Sequence, residues 1–352
     1  MVTALSEKNI ERLKIAQTLG QPDEVPFGAD APGMFACGVT GTNAKEYYMK
    51  PEAQFTTQQR MRKLLYDIPP LMVDLGITLE TSLLGGQPIW RENEAPIFTP
   101  MMKNIEEVDK LELQDVKTAP IMKRAHQMYT YLSEKSGEIV TWNYVDGPID
   151  VACLTRGVGE FMAELYTKSE LARKLLKKAT EACIEVVKYK LDVLGDVGSF
   201  MLADDYSGYL SPKLFEEIYV PIAQEIYRLL PSNFVRWYHS DGDHIGPSVH
   251  LLPKAGVQVF HSFTPKIDLA ELKRQVGDKL CICGNIDTIE VLRNGAPIDV
   301  VKACREAIRK AGENGGYILA SGGELVRGTP IENVHAMLLA AAEFGRYPLE
   351  KS

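Results

Sequence analysis

Residues 197–262 read VGSFMLADDYSGYLSPKLFEEIYVPIAQEIYRLLPSNFVRWYHSDGDHIGPSVHLLPKAGVQVFHS. Two short β-rich runs, Val197–Ala203 and Phe234–Ser240, enclose a long amphipathic one, and a third run, Val257–Ser262, follows. That alternation is the pattern of parallel strands joined by helices. The central helix is well signalled: Ser211 is an N-cap, Pro212 takes the first helical position, and Phe215, Ile218, Ile222 and Ile226 recur at helical spacing. Pro221 falls inside the pattern and should kink it.

Working outward, the same alternation gives eight strands: Val25–Ala29, Ile77–Leu84, Val140–Val145, Val197–Ala203, Phe234–Ser240, Val257–Ser262, Leu280–Gly284 and Tyr317–Ser321. Eight is the number of the (β/α)8 TIM barrel. The gap between the first two strands, and the roughly 55 residues between the second and third, must hold additional helices and loops, because bare βα connections are much shorter. Ser6 can cap an N-terminal helix carrying Ile10, Leu13 and Ala16, which Gly20 and Pro22 terminate. Ser169 can cap a long helix with Leu175, Leu176, Ala179, Cys183 and Val186 on one stripe. Thr329-Pro330-Ile331-Glu332 combines a proline at the first helical position with a capping box, ahead of a buried face of Val334, Met337, Leu338 and Ala341. The expected fold class is α/β: a single TIM-barrel domain over residues 1–352, with an N-terminal helical extension at 1–24 and long early loops.

Composition agrees with this reading. A chain of 352 residues divided by about 150 per domain suggests two domains, but one α/β barrel commonly fills about 250 or more, and no linker or repeat divides this one. Thirty-nine Lys and Arg against 47 Asp and Glu give a net charge of −8, which disfavours nucleic acid as a partner. The opening MVTALSEKNIERLK lacks the apolar core of a signal peptide, and no run approaches the 18 or so apolar residues of a membrane span. Six cysteines are too sparse for a disulfide framework, so a cytoplasmic setting is the default.

In such a barrel the active site lies at the C-terminal ends of the strands. Polar residues collect there: Asn143 and Asp146, Asp204-Asp205-Tyr206, His239-Ser240-Asp241, His261, Asn285 and Asp287, and Gly322-Gly323-Glu324. His239 and Asp241, two apart at a strand end, project the same way and can converge on one metal ion, with Glu324 as the candidate third ligand. The competing reading makes Asp241 the cap of a helix beginning near Asp243 and His239 a packed imidazole. Asp204-Asp205-Tyr206 offers a carboxylate base or substrate acceptors, or else a turn. Cys281-x-Cys283 reads as buried structural thiols, and Asp287 as a helix cap. No Gly-rich phosphate loop is present.

The stretches Asp146-Gly147-Pro148, Leu202-Ala-Asp-Asp-Tyr-Ser-Gly-Tyr-Leu-Ser-Pro212, His239-Ser-Asp-Gly242, Cys283-Gly-Asn-Ile-Asp287 and Gly328-Thr-Pro-Ile-Glu-Asn-Val334 resemble the signature segments of the uroporphyrinogen decarboxylase superfamily, in order and spacing from about residue 60 to 345. The resemblance implies a β/α barrel by a route independent of the strand count. It also implies one of two chemistries, porphyrinogen decarboxylation or methyl transfer to or from a corrinoid held on a separate protein. The decarboxylases hold their substrate's carboxylates with an arginine-rich N-terminal motif, whereas Asp30–Cys37 here contains no arginine. Their catalytic aspartate would fall near Gly76 and their late histidine near Gly322. The coenzyme M methyltransferases of the superfamily bind zinc through His-x-Cys and a later Cys. This chain keeps the histidine as His239 but has Asp241 at the first Cys position and Gly322-Gly323-Glu324 near the second, which departs from a thiol-activating site.

The reading that follows is a corrinoid-dependent methyltransferase acting on a small methoxylated substrate, aromatic ethers included. Zinc held by His239, Asp241 and Glu324 would polarise the leaving oxygen, and Asp205 or Tyr206 would orient the substrate. Met34, Phe35 and Trp90 would line an aromatic pocket, with Asn143, Asp146 and His261 contacting substrate from the strand ends. The partner is a corrinoid-binding protein, and the superfamily includes homodimers. The alternatives are a metal-free decarboxylase of a small acid and a non-catalytic binding barrel.

Overall fold

The computed structural model describes residues 4–28, 31, 33–242, 244–262 and 266–349. Among the described residues nine short strands, all paired in parallel, build the barrel: β1 (Phe27–Gly28), β2 (Leu71–Met72), β3 (Val140–Thr141), β4 (Tyr144–Asp146), β5 (Ser199–Ala203), β6 (Val235–Ser240), β7 (Val259–Ser262), β8 (Cys281–Ile286) and β9 (Tyr317–Ser321). β3 and β4 are two halves of one stave, the first pairing with β2 and the second with β5, so the staves number eight. β4 to β9 follow in sequence order around the sheet and β1 joins β9. The architecture is the TIM barrel, with helices outside.

Seven staves lie where the sequence places them, and the second does not. The expected strand Ile77–Leu84 is instead a turn and a helix, Leu79–Leu83, all five of whose residues are buried. A short apolar run cannot by its periodicity be told from a buried helix segment. The stave itself is Leu71–Met72, directly after Pro69-Pro70, which favour extended backbone. Gly76, at φ +62°, then turns the chain into the helix.

Among the described residues no hydrogen bond joins β1 to β2, and side-chain amides satisfy the two facing edges instead. Asn9 donates to the Phe27 carbonyl (2.8 Å) and accepts from its amide (2.9 Å). Gln58 does the same for Met72 (2.8 and 3.0 Å), and Gln54, one turn earlier on the helix Pro51–Leu64, for Asp74 (2.6 and 3.1 Å). Unpaired edge groups in a protein interior are costly, and these three side chains stand in for a neighbouring strand.

The N-terminal helix Ala4–Gln17 packs across the N-terminal end of the barrel: Leu13, Ala16 and Leu19 join Val259, Cys281, Cys283, Ile318 and Ala320 in one apolar cluster. Ser6 lies within this helix rather than capping it, and its hydroxyl donates to the Asp67 carbonyl. The pair Cys281 and Cys283 is buried with no disulfide, as the structural reading expects. The long helix Ser169–Leu194 buries all five predicted stripe residues. Ser211 caps its helix through the Leu214 amide. Pro221, which lacks a donor, follows a widened π turn at Phe215–Tyr219. The capping box at Thr329 is absent, since Pro330 occupies the cap position and no side chain bonds the first turn of Ile331–Phe344. Asp243, where a helix was expected to begin, lies outside the described residues. No helix among the described residues is long and apolar enough to cross a membrane.

Candidate metal centre

Two buried aspartates shape the loop after β5. Asp204 accepts the amides of Ile149 (3.2 Å) and Asp150 (3.0 Å), capping the helix Pro148–Arg156. Asp150 answers by accepting the amides of Asp205 (3.0 Å) and Tyr206 (2.7 Å). Burial pushes Asp204 up to about 7 and raises Asp150 well above the carboxylate range, with Asp204 and Asp205 adding repulsion at Asp150. The close approach explains Gly147, because a Cβ there would sit 2.1 Å from the Asp204 carboxyl carbon. Asp204 is therefore a brace, and its neighbour Asp205 is delivered to the barrel mouth.

There Asp205 meets His239 and Asp241 at the end of β6. One ligand atom from each of the three lies within 4.8 Å of the others. Asp241 Oδ1 is 3.0 Å and Asp205 Oδ1 3.8 Å from His239 Nε2. Asp205 Oδ1 also accepts the Asp241 amide (2.6 Å), which ties the two loops together. A Cβ at Gly242 would lie 2.6 Å from the Asp205 carbonyl oxygen, so the bend after Asp241 needs glycine.

The histidines fix which nitrogen faces the carboxylates. His261, directly opposite His239 on β7, has Nε2 3.1 Å from the Ser321 carbonyl. A carbonyl only accepts, so Nε2 carries the proton and Nδ1 of the neutral ring is an acceptor. His239 Nδ1 lies 2.9 Å from it and therefore donates. In a neutral His239 ring this leaves the lone pair on Nε2, which faces Asp241 Oδ1 at 3.0 Å; a protonated ring donates from Nε2 to the same carboxylate. The contact is satisfied by a proton on Nε2 or by a metal ion that both atoms ligate. The donor set of one imidazole and two carboxylates suits zinc, and the half-exposed carboxylates leave room for a further ligand.

The structure thus brings together His239 and Asp241, with Asp205 as the third member where Glu324 was expected. Glu324 is exposed and outside this group. Tyr206 is half-buried next to Tyr209 beside the site. His261 acts behind His239 and also lines, with Asn143, a cavity of about 280 Å³ in the barrel interior. The Asn143 amide donates to the carbonyl and hydroxyl oxygens of Ser199, bracing β4 against β5. Met34 and Trp90 pack with Tyr47, Tyr48 and Cys37 in a small cluster of their own. Phe35 is fully buried in the main core and is not a pocket residue. Asp146 is buried behind the mouth, where burial and then Glu80 raise its pKa well above the carboxylate range.

The sequence reading did not single out Asp74. It is buried two residues beyond β2 and accepts from Gly33 N (2.8 Å), Gly76 N (2.9 Å) and Tyr47 Oη (3.1 Å). The misplaced second stave hid it: with the strand at Leu71–Met72, Asp74 is the strand-end polar residue. A carboxylate therefore does stand close to Gly76.

The uroporphyrinogen decarboxylase (URO-D) family profile matches residues 23–344. The chain is 25% identical to a uroporphyrinogen decarboxylase of Trichodesmium erythraeum over 264 residues, 72% of this chain and 71% of that protein. It is 26% identical to one from Crocosphaera subtropica over 266 residues, with the same coverage. In fold it resembles a methyltransferase from Methanosarcina mazei, with a TM-score of 0.75 at 21% identity, covering 95% of this chain and 98% of the other. It also resembles a B12-independent methionine synthase from Shewanella, with a TM-score of 0.52 at 9% identity. The chain belongs to the uroporphyrinogen decarboxylase family.

Proposed function

We propose that this barrel is a metal-assisted methyltransferase that moves a methyl group between a small methoxylated substrate and the cobalt of a corrinoid carried by a partner protein. The observation that carries the reading is the grouping of Asp205, His239 and Asp241 at the barrel mouth, with ligand atoms within 4.8 Å of one another and the His239 ring held by His261. The methyltransferase of similar fold from Methanosarcina mazei supports it. So does the absence of arginine from residues 30–37, which leaves that loop without the guanidinium groups a polycarboxylate would need.

Zinc held here would supply Lewis acidity to an oxygen that must leave as an alkoxide or phenoxide. The remaining work falls to the chain. Asp205, His239 and Asp241 supply the ligand atoms, and the Asp150 carboxylate holds the Asp205-Tyr206 loop by two amides. Met34 and Trp90 offer an apolar wall against which an aromatic ring can pack. The purified protein is expected to carry about one zinc per chain, the stoichiometry of an open catalytic site. His261→Ala keeps all three ligands but frees the His239 ring, and should weaken zinc binding about 10–100-fold in a competition titration with a chromogenic chelator. Unchanged affinity would remove the relay from the account.

Asp74 favours a second reading, the decarboxylation of a small acid. A buried carboxylate held by two amides and a phenol is positioned for proton transfer or for charge stabilisation near a strand end, and the relatives above are decarboxylases. Carbon dioxide release that a chelator does not diminish would select it.

A further inference from the structure

The barrel lumen is not filled. A cavity of about 280 Å³ occupies it, bounded by Met72 on β2, Met201 on β5, Trp237 on β6 and Ile318 in β9. TIM barrels ordinarily close this space with layers of bulky branched side chains. Here Gly28, Ser199, Cys283 and Ala320 stand on the wall, with side chains too small to span it. Among the described residues the lining includes none of Asp205, His239 and Asp241. His261, which lines the cavity and bonds His239, stands between the two regions.

The chemistry of the wall selects the guest. Among the described residues it carries no Asp, Glu, Lys or Arg, so an ion entering would lose its water and gain no counter-charge. Most of its polar groups are already bonded within the protein. Asn9 pairs with both backbone groups of Phe27, the Thr141 hydroxyl donates to the Leu71 carbonyl (3.2 Å), Asn143 donates to Ser199, and His261 uses both ring nitrogens. Such a wall holds water poorly and an apolar guest well, and an engineered apolar cavity of about 150 Å³ binds benzene. Nearly twice that volume admits two fused rings.

The way in lies at the N-terminal end of the barrel. Phe27 and Gly28 face Pro69, Pro70 and Met72 across the seam between β1 and β2, which no backbone hydrogen bond closes among the described residues, and all five line the cavity. Leu13 and Gln17 of the N-terminal helix line the same end and are half-buried, while Pro70 is exposed. A molecule entering there displaces side chains and breaks no strand ladder.

We infer that the lumen is a second ligand site, apart from the metal group, for an uncharged and mostly apolar molecule of about two fused rings that enters from the N-terminal end of the barrel. The site does not depend on the proposed reaction.

The test is calorimetric titration of the whole protein with indole and 2-naphthol, and with indole-3-carboxylate and 2-naphthoate, which are close in shape but charged. At least one neutral probe should bind about 10-fold or more tightly than its charged counterpart. Leu13→Trp fills the cavity from the N-terminal helix and Ala320→Leu fills it from β9. Each, in a variant whose thermal midpoint shows it folded, should weaken the neutral probe about 10-fold or more. Binding should persist in His239→Ala, where the metal group is broken. A wild type that binds neither neutral probe, or prefers the carboxylates, overturns the assignment. So does binding that both filled variants retain, or that His239→Ala loses, because the probe would then sit outside the lumen.

Discussion

Replacing Lys190 by methionine should destabilise the protein by about 3–5 kcal/mol, read as a shift in the denaturant midpoint at constant slope. The ammonium is fully buried, donates to the Tyr144 carbonyl (2.5 Å), and lies over the rings of Tyr144 (4.5 Å) and Trp142 (5.1 Å). Burial lowers its pKa, while Glu80 and Asp146 act to raise it. Removing it leaves two buried carboxylates facing each other, one of which, Glu80, already has an oxygen with no hydrogen-bond partner. The sign with pH follows. The folded-state pKa of Asp146 already lies above its unfolded value, so its favourable contribution is present at low pH and lost as pH rises. Without Lys190 that pKa climbs further, and the variant's deficit should therefore be largest near pH 8 and shrink toward pH 5. Adding Glu80→Gln should recover much of the loss, because the like-charge pair is gone. A Lys190→Met protein as stable as wild type at pH 8 would mean that the two acids are neutral there without help.

His239→Ala should lose the bound metal altogether and lower methyl transfer by about 10²–10³ or more, because the only nitrogen of the cluster is removed and the leaving oxygen is left without its Lewis acid. Fold stability should fall by only about 1–3 kcal/mol, the cost of the buried hydrogen bond to His261 that is lost with the ring. Metal content by mass spectrometry and the thermal midpoint, measured on the same preparation, separate these effects. Full zinc occupancy in the variant would place the site elsewhere.

The barrel was legible because its evidence is redundant: seven staves carry β-rich runs of the right length, and the helices between them carry caps and stripes. The second stave was misread because Leu79–Leu83 is buried on every side, which erases helical periodicity, whereas Leu71–Met72 is too short to register. Asp74 was lost with it. His239 and Asp241 could be found from their i, i+2 spacing at a strand end. That the third carboxylate is Asp205 depends on the Asp150–Asp204 brace, a tertiary arrangement between residues 54 to 56 apart in sequence. Phe35 and Trp90 looked alike as aromatic residues in early loops. The fold sends one into the core and leaves the other half-exposed. Lys190 sits on a helical stripe where a lysine reads as a solvated position, and only packing against β4 reveals it as buried.

The most direct measurement is anaerobic incubation of the zinc-replete protein with reduced cobalamin and a set of small methoxylated compounds, aromatic ethers included, following the cobalamin spectrum. The account predicts conversion to the methylated form with at least one substrate, its loss after chelation, and its return on adding zinc. No methylation in any metal state, alongside carbon dioxide release by the chelated protein, would contradict it.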